Sequence, residues 1–372
     1  MSDFVLKCFR DYYQQKDVTP PDVSRREFGF GWKDKIDYRH KCFVDAKQLK
    51  EFMVKEVPLY ASYSLARYEF PALRPMPKKN FIGADLVFDL DTSYVHENHH
   101  ALLCHYCLQR VAQDALRLKE EFLLKDFGFS EKEITANYSG QKGFHLHVKS
   151  DSVQQLSSNA RKELLDYISG SFDLTKMLSQ DEEMADNVER KKKQAQGPSK
   201  QSGGWAKKIY DKTLSLFQTL DSQKLQSLGF SKRNVSYIKE NQIEAISHLE
   251  NGKWDAFCSN PEEAFKNIAQ EIRVSTTVEI DKAVTYDIAR LIRIPDSTHG
   301  STGFAAKTLS SLENFDPSKQ CTITPKTTAT IKTVEDLAIA FNDETFELKQ
   351  DQETEVPAAL ALFLACKKKT TS

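Results

Sequence analysis

The run FIGADLVFDLD, residues 81–91, limits what this chain can fold into more than any other segment. Its apolar and acidic residues alternate, and side chains on a β-strand alternate between two faces. Leu86, Phe88 and Leu90 therefore turn into a core while Asp89 and Asp91 stand side by side on the other face. The strand rise sets their Cα atoms about 6.5 to 7 Å apart. Two carboxylates can close that span onto metal ions about 3.5 to 4 Å from one another. Left alone the pair repels; a divalent cation with oxygen ligands, Mg2+ or Mn2+, relieves the repulsion. The motif is short and common, and the simpler alternative is a set of solvent-facing acids on an edge strand that also includes Asp85.

Bulk properties narrow the classes. A length of 372 residues allows two or three domains, and 40% hydrophobic residues suffice for a sizeable core. The formal net charge of −1 excludes binding of nucleic acid by overall charge, so such contact needs a local patch. Seven cysteines scattered from Cys8 to Cys366 do not make a secreted disulfide framework. The start, MSDFVLKCFRDYYQQ, lacks the apolar core of a signal peptide, and no run reaches the ~18 apolar residues of a membrane span. The expectation is a soluble protein of a reducing cytoplasm, with no membrane partner.

Along the chain, the pattern predicts an amphipathic helix over Asp3–Tyr13, a β-hairpin over Arg26–Phe43 and a helix over Ala46–Val54. After the acidic strand come a His/Cys-rich segment, a helix from about Gln109 to Asp126, two β-runs joined by a turn in EITANYSGQKGFHLHV, and a helix over Asn159–Ile168. The composition of Ser179–Lys208, acidic, then basic, then rich in Gly, Pro and Ser, reads as a mobile insert. A helical block follows, and EIRVSTTVEIDKAVTYDIARLIRIP reads as a strand leading into a helix. Mixed strands and helices with several hairpins make the class α/β or α+β. The expected domains are 1–172 and 251–372 as two halves of one core, with 173–250 as a charged mobile insert and helical subdomain.

Three constellations gather around the carboxylate pair. Asp281 closes STTVEID; alone it is a helix N-cap, and with Asp89 and Asp91 it completes an acidic triad. The turn SGQKG, Ser139–Gly143, has two glycines that can take positive φ and present backbone N–H groups to an anion, and Lys142 adds charge. His145 and His147 share one face of the outgoing strand, while RLIRIPDSTHGSTG supplies Arg290, Arg293 and His299. Cations beside a triad of acids suit a triphosphate. Between them, Cys104-x2-Cys107 has zinc-knuckle spacing and follows His96, His99 and His100. Two thiolates and two imidazoles would close a structural Zn2+ site at about residues 96–107. The spacing leaves open which histidines complete it; the assigned set is Cys104, Cys107, His96 and His100, and His105 lies inside the knuckle.

In this order, REFGF, DYR, LVFDLD, CHYC, YSGQKGFH, EID and RIPDSTHGSTG make the chain resemble the catalytic small subunit of archaeal and eukaryotic DNA primases. The resemblance spans most of the chain and thins over Ser179–Lys208. It implies a catalytic core related to the RNA-recognition fold, with added helices and a zinc module. It implies two catalytic Mg2+ or Mn2+ ions on Asp89, Asp91 and Asp281. It also implies nucleotide contacts from Ser139, Lys142, His145, Arg293 and His299, with Arg39 and Glu27 close by. The activity implied is synthesis of short RNA, or DNA, primers on single-stranded DNA from NTPs or dNTPs, beside a primase large subunit and the replication machinery. The compartment is then cytoplasmic in an archaeon and nuclear in a eukaryote. Family members often carry two arginines in the SG turn, where this chain has Gln141 and Lys142, and some carry lysine at the place of Arg293; a lysine grips less specifically than a bidentate arginine. Glu279 adds an acid without an assigned role. The rival readings are a two-metal nuclease, a primer-extending repair polymerase of the same superfamily, and a zinc-stabilised binding module, which would not need Asp281.

Overall fold

The structure is a computed structural model and describes residues 2–91, 101–182 and 193–371. The chain forms two units: Met1–Lys119 with Phe129–Lys162 and Glu279–Ser372, and Glu120–Gly128 with Glu163–Val278.

In the first unit, α1 (Asp3–Gln15) buries Val5, Phe9 and Tyr13 at helical spacing. The aromatic run after it forms the expected antiparallel hairpin, β1 (Phe28–Gly31) with β2 (Tyr38–Lys41). Asp45 starts α2 (Ala46–Glu56) by accepting the Gln48 N–H at 2.8 Å, a side-chain cap of the first turn. Four strands follow: β3 (Tyr60–Ser64), β4 (Ala66–Tyr68), β5 (Phe81–Ala84) and β6 (Leu86–Asp91). Then come α3 (His105–Arg117), β7 (Ile134–Tyr138), β8 (Gly143–Val148) and α4 (Ser158–Ile168), which runs on into the second unit.

The second unit is largely helical: α5 (Gly204–Thr219), α6 (Ser222–Ser227), α7 (Lys232–Glu240), α8 (Gln242–Glu250) and α9 (Pro261–Thr276). Ser179–Lys208, which composition reads as a mobile insert, holds regular structure in its described part. There β9 (Ser179–Glu182) pairs with β10 (Lys193–Gln196), and Trp205 at the start of α5 is buried, its indole N–H donating to the Tyr167 carbonyl at 2.8 Å. Polar composition hid this order because one tryptophan and a ladder of backbone bonds supply it. The basic run from Arg190 lies outside the described residues up to Lys193.

Back in the first unit are α10 (Lys282–Tyr286), β11 (Leu291–Arg293), β12 (Thr308–Leu309), α11 (Pro317–Gln320), β13 (Thr328–Lys332), β14 (Leu337–Phe341), β15 (Glu344–Leu348), β16 (Glu353–Pro357) and α12 (Ala358–Cys366). Two four-stranded antiparallel sheets organise this unit, in the orders β11-β3-β1-β2 and β12-β7-β8-β6. The architecture is mixed helix and sheet, as expected. The β-run expected at EIRVSTTVEID is not a strand: α9 continues through Thr276, and 277–281 belong to neither helix nor sheet. The β-branched residues there were misleading because α9 buries Ile272 on its apolar face. Among the described residues no helix is long and apolar enough to cross a membrane.

β6 is an edge strand, yet Asp85 does not face solvent. It is 4% exposed and accepts the Arg26 guanidinium at 2.7 Å, while Arg26 also donates to the Ser64 and Leu65 carbonyls at 3.0 and 2.6 Å. Arg161, fully buried, donates to the carbonyls of Asp85 and Ala84, both at 2.8 Å. Removing one partner of a buried pair strands the other charge, at a cost of about 3–5 kcal/mol. Asp85→Ala should therefore lower unfolding stability by about that much in urea titration. A loss under about 1 kcal/mol, the size of a surface ion pair, would mean that Asp85 does not anchor the strand.

Candidate active site

The site is built at the C-terminal end of β6 by register. β6 and β8 pair Asp89 with His145 and Asp91 with Gly143, so both acids stand against the start of the strand that leaves the SGQKG turn. Gly143 is required by proximity: a Cβ there would lie 2.1 Å from the Leu90 carbonyl oxygen and 2.2 Å from the Asp91 carboxylate. Gly140 is required by conformation, with φ at +90°, and its Cα packs so that a Cβ would meet His299 at 2.8 Å. Only one of the two turn glycines thus takes positive φ. The turn is also less open to an anion than expected, since the Ser139 hydroxyl accepts the N–H groups of Gln141 and Gly143 at 3.4 and 3.1 Å.

The third acid arrives by a backbone bond. The Asp281 N–H donates to the Asp89 carbonyl at 2.8 Å, which fastens the start of α10 to β6. The Asp281 carboxylate accepts the Ala283 N–H at 2.9 Å, so it caps α10 as well. The carboxylate therefore acts as the helix cap here, and its backbone places it beside Asp89, while Asp281 is not among the residues that line the cleft of Asp89 and Asp91.

Asp89, Asp91, Ser139, His145, Arg293 and His299 line one open cleft of about 240 Å³, with Ser62, Gln141 and Arg290. Asp89 Oδ1 is buried, makes no hydrogen bond and lies 3.4 Å from His145 Nε2. Burial, then the charge of Asp281, pushes Asp89 up to about 7 against the pull of Arg290. Burial and Asp89 likewise raise Asp91, opposed by His145 and Lys142. Burial lowers His145 to about 4 and His299 well below the usual imidazole value, Arg293 adding to both. Arg293 lies over the Tyr60 ring at 5.3 Å; its Nη1 is buried without a hydrogen bond, and burial lowers it to about 10. The cleft thus gathers two acids that burial disfavours in their ionised form and a buried arginine with an unfilled donor, Arg293 Nη1.

Other expected site residues lie elsewhere. Lys142 is exposed and lines a neighbouring cavity. Glu27 and Arg39 sit on the β1–β2 hairpin and do not line the cleft. Glu27 is buried against Lys79 Nζ at 2.7 Å, and Arg39 bonds it at 3.3 Å and reaches the Ala289 carbonyl at 3.5 Å. Burial would raise Glu27, but Lys79, His40 and Arg39 hold it below the usual carboxylate value. Cys104 caps α3, its Sγ accepting the Cys107 N–H at 3.3 Å. His105 turns to Asp316 at 3.8 Å. His96, His99 and His100 lie outside the described residues. Among the described residues, no three His, Cys, Asp or Glu groups converge closely enough to cage an ion. Sequence reasoning left Ser62 out, since only its pairing with Arg293 across β3 and β11 brings it to the cleft. Arg290 was legible from its position three residues before Arg293.

A sequence model of the family described as DNA primase small subunit matches residues 88–311, more than half of the chain. The chain belongs to the DNA primase small-subunit family. Curated relatives carrying the name DNA primase small subunit PriS include those of Methanothrix thermoacetophila, 31% identical over 98% of this chain and 96% of the relative, and Picrophilus torridus, 30% identical over 97% and 96%. The Thermoplasma volcanium relative is 30% identical over 85% and 82%. The primase-family match runs from β6 through β12 and so contains the whole carboxylate cleft except Ser62, while Glu27 and Arg39 fall outside it.

A carboxyl group held above its ordinary 3.8 favours folding when protonated and opposes it when ionised. In metal-free protein, the cost from Asp89 is absent below that value and grows as pH rises to about 7. Asp89→Asn removes it, so the melting temperature of the variant should gain on the parent between pH 5 and pH 8, and saturating Mn2+ should shrink the gain. A difference that stays flat with pH would show that Asp89 is not destabilised by ionising.

Proposed function

We propose that this chain is the catalytic subunit of a DNA primase, joining nucleoside triphosphates into short primers on single-stranded DNA. One juxtaposition carries the reading: Asp89 and Asp91 share one cleft with the cations Arg290 and Arg293 and with neutral His299. Acids alone would serve a nuclease; the opposing cations favour a substrate that brings a triphosphate. The β12-β7-β8-β6 sheet with α3 against β8 and β6 supports a core related to the RNA-recognition fold.

Asp89 and Asp91 would hold Mg2+ or Mn2+, with Asp281 joining when its carboxylate turns from its cap. The donor set is all oxygen, as hard cations prefer, and the orphaned Asp89 Oδ1 fits a ligand position. Bound ions supply a more acidic 3′-hydroxyl and charge neutralisation at the phosphates. The chain's own residues orient the substrate. Ser301 N–H donates to His299 Nδ1 at 3.3 Å, which leaves the proton of neutral His299 on Nε2, available to a phosphate oxygen. Ser139, already accepting two N–H groups, can donate its hydroxyl proton outward. Arg293 Nη1 is a donor awaiting an acceptor.

A structural Zn2+ on Cys104 and Cys107 with two of the preceding histidines belongs to the same proposal, supported by the N–H···S bond inside the pair. The relatives' description as a small subunit argues for a large-subunit partner. The archaeal origin of those relatives argues for work in the cytoplasm.

Incubation with single-stranded DNA, NTPs or dNTPs and Mn2+, without primer, should yield new short oligonucleotides. Extension only of a supplied primer would point to a repair polymerase, and template degradation to a nuclease. Groups that act as a unit are not additive when removed. Asp89→Ala, Asp91→Ala and Asp281→Ala should each abolish most incorporation, and the triple variant should be scarcely worse than the worst single one; near-normal incorporation by Asp281→Ala would leave that residue a helix cap. Protein purified without chelator should contain stoichiometric zinc, which Cys104→Ser with Cys107→Ser should remove along with part of the thermal stability.

A further inference from the structure

Beside the carboxylate cleft lies a second cavity of about 210 Å³, lined on its polar side by Gln141, Lys142, Thr302 and Lys367. Gln141 lines both cavities, so the two meet at the SGQKG turn. The loop after His299 is tied to the same turn: the Thr302 hydroxyl donates to the Gly140 carbonyl at 2.5 Å, and the Thr302 N–H donates to the His299 carbonyl at 3.1 Å. Lys367 comes from outside these motifs. It follows α12, a helix whose apolar residues are nearly all buried, and lies over the Phe363 ring at 5.4 Å.

Leu102, Leu103, Leu108 and Phe363 line its apolar side with Cys104 and Cys107, and Lys142 and Lys367 are its two cationic side chains. Among the described residues, neither Lys142 nor Lys367 makes a hydrogen bond or ion pair to a carboxylate, and no Asp or Glu lines the cavity. Lys367 is half-buried, and burial and then Lys142 lower its ammonium below the usual lysine value. Lys367 in turn helps hold His299 neutral, so it lies within electrostatic reach of two groups assigned to the nucleotide. Two facing ammonium groups, one of them desolvated, gain most from an anion between them. A fold that merely needed to cover α12 would set an acid or a neutral residue there.

We propose that Lys142 and Lys367 together grip the terminal phosphates of the incoming nucleoside triphosphate, which makes Lys367 a substrate-binding residue. This rests on the polymerase reading above. The triphosphate then lies along one track, its reacting phosphate at Asp89 and Asp91 and its far end in the lysine cavity, with Gln141 at the junction. Lys367 brings the buried C-terminal helix to the substrate, far in sequence from every motif that carries the chemistry.

The test compares Lys367→Ala and Lys367→Arg with a control, Lys368→Asn, whose exposed parent residue lines a different cavity and whose asparagine tolerates the positive φ found there. Lys367→Ala should raise the apparent KM for NTP about tenfold, as expected for loss of one charge-assisted contact, with little change in kcat or in single-stranded DNA affinity. Lys367→Arg should restore most of the loss, and the control should match the parent. Binding of inorganic tripolyphosphate, measured by calorimetry with and without Mn2+, should weaken in Lys367→Ala by a similar factor in both conditions. Unchanged KM and tripolyphosphate affinity in an active, folded Lys367→Ala would overturn the assignment and leave the polymerase reading standing. If the parent incorporates no nucleotide, it is the polymerase reading that fails.

Discussion

The register between β6 and β8 is the constraint on which the site depends. Because side chains on a strand have a period of two, a slip of one residue would turn Asp89 and Asp91 into the core and bring Phe88 and Leu90 to the cleft. Two devices hold the register. At one end, buried Arg26 and Arg161 fix Asp85 and the carbonyl before it, so the strand enters the sheet at a defined height. At the other, Gly143 lets β8 approach Leu90 and Asp91 closely enough to complete the ladder. The Asp281 N–H then bonds the carbonyl of Asp89 itself, so the later segment takes its position from the same strand.

The electrostatics follow from that placement. Asp89 and Asp91 share the cleft with Arg290 and Arg293, yet Asp89 Oδ1 and Arg293 Nη1 are both buried without a hydrogen bond. The result is a site whose groups are each held away from their usual protonation behaviour: Asp89 upward, His145 and Arg293 downward, all chiefly through burial. Elsewhere in the first unit buried charges are paired directly, as where Glu27 meets Lys79 and Asp85 meets Arg26. The contrast separates a charged cluster paired within the fold from one whose groups are left unpaired.

How much of this could be read in advance depended on whether the signal was local. Strand β6, the β7–β8 hairpin and the cationic loop around Arg293 were legible because alternation, turn glycines and charge lie within a dozen residues or fewer. The role of Asp85 was not, since its burial depends on Arg26 and Arg161, which arrive from other parts of the chain. Val278 and Ile280 suggested a strand before Asp281, but β-branched residues record burial on a surface and not backbone pairing. Trp205 and the β9–β10 ladder gave order to a segment whose composition argued for none. Ser62 carries no signal of its own, and its place follows only from sheet order.

The turn at Ser139–Gly143 divides its labour in a way that bears on how such a protein could change. Gly140 and Gly143 are fixed by geometry, one by its φ and its contact with His299, the other by the carbonyl of Leu90. Gln141 and Lys142 between them face cavities and carry no such restriction. Substitutions at those two positions can change the charge and shape of both cavities without disturbing the sheet, so the hairpin frames an exchangeable pair of side chains. On the proposed reading, nucleotide affinity would drift, or be engineered, through two adjacent codons while the carboxylates stay where the strands put them.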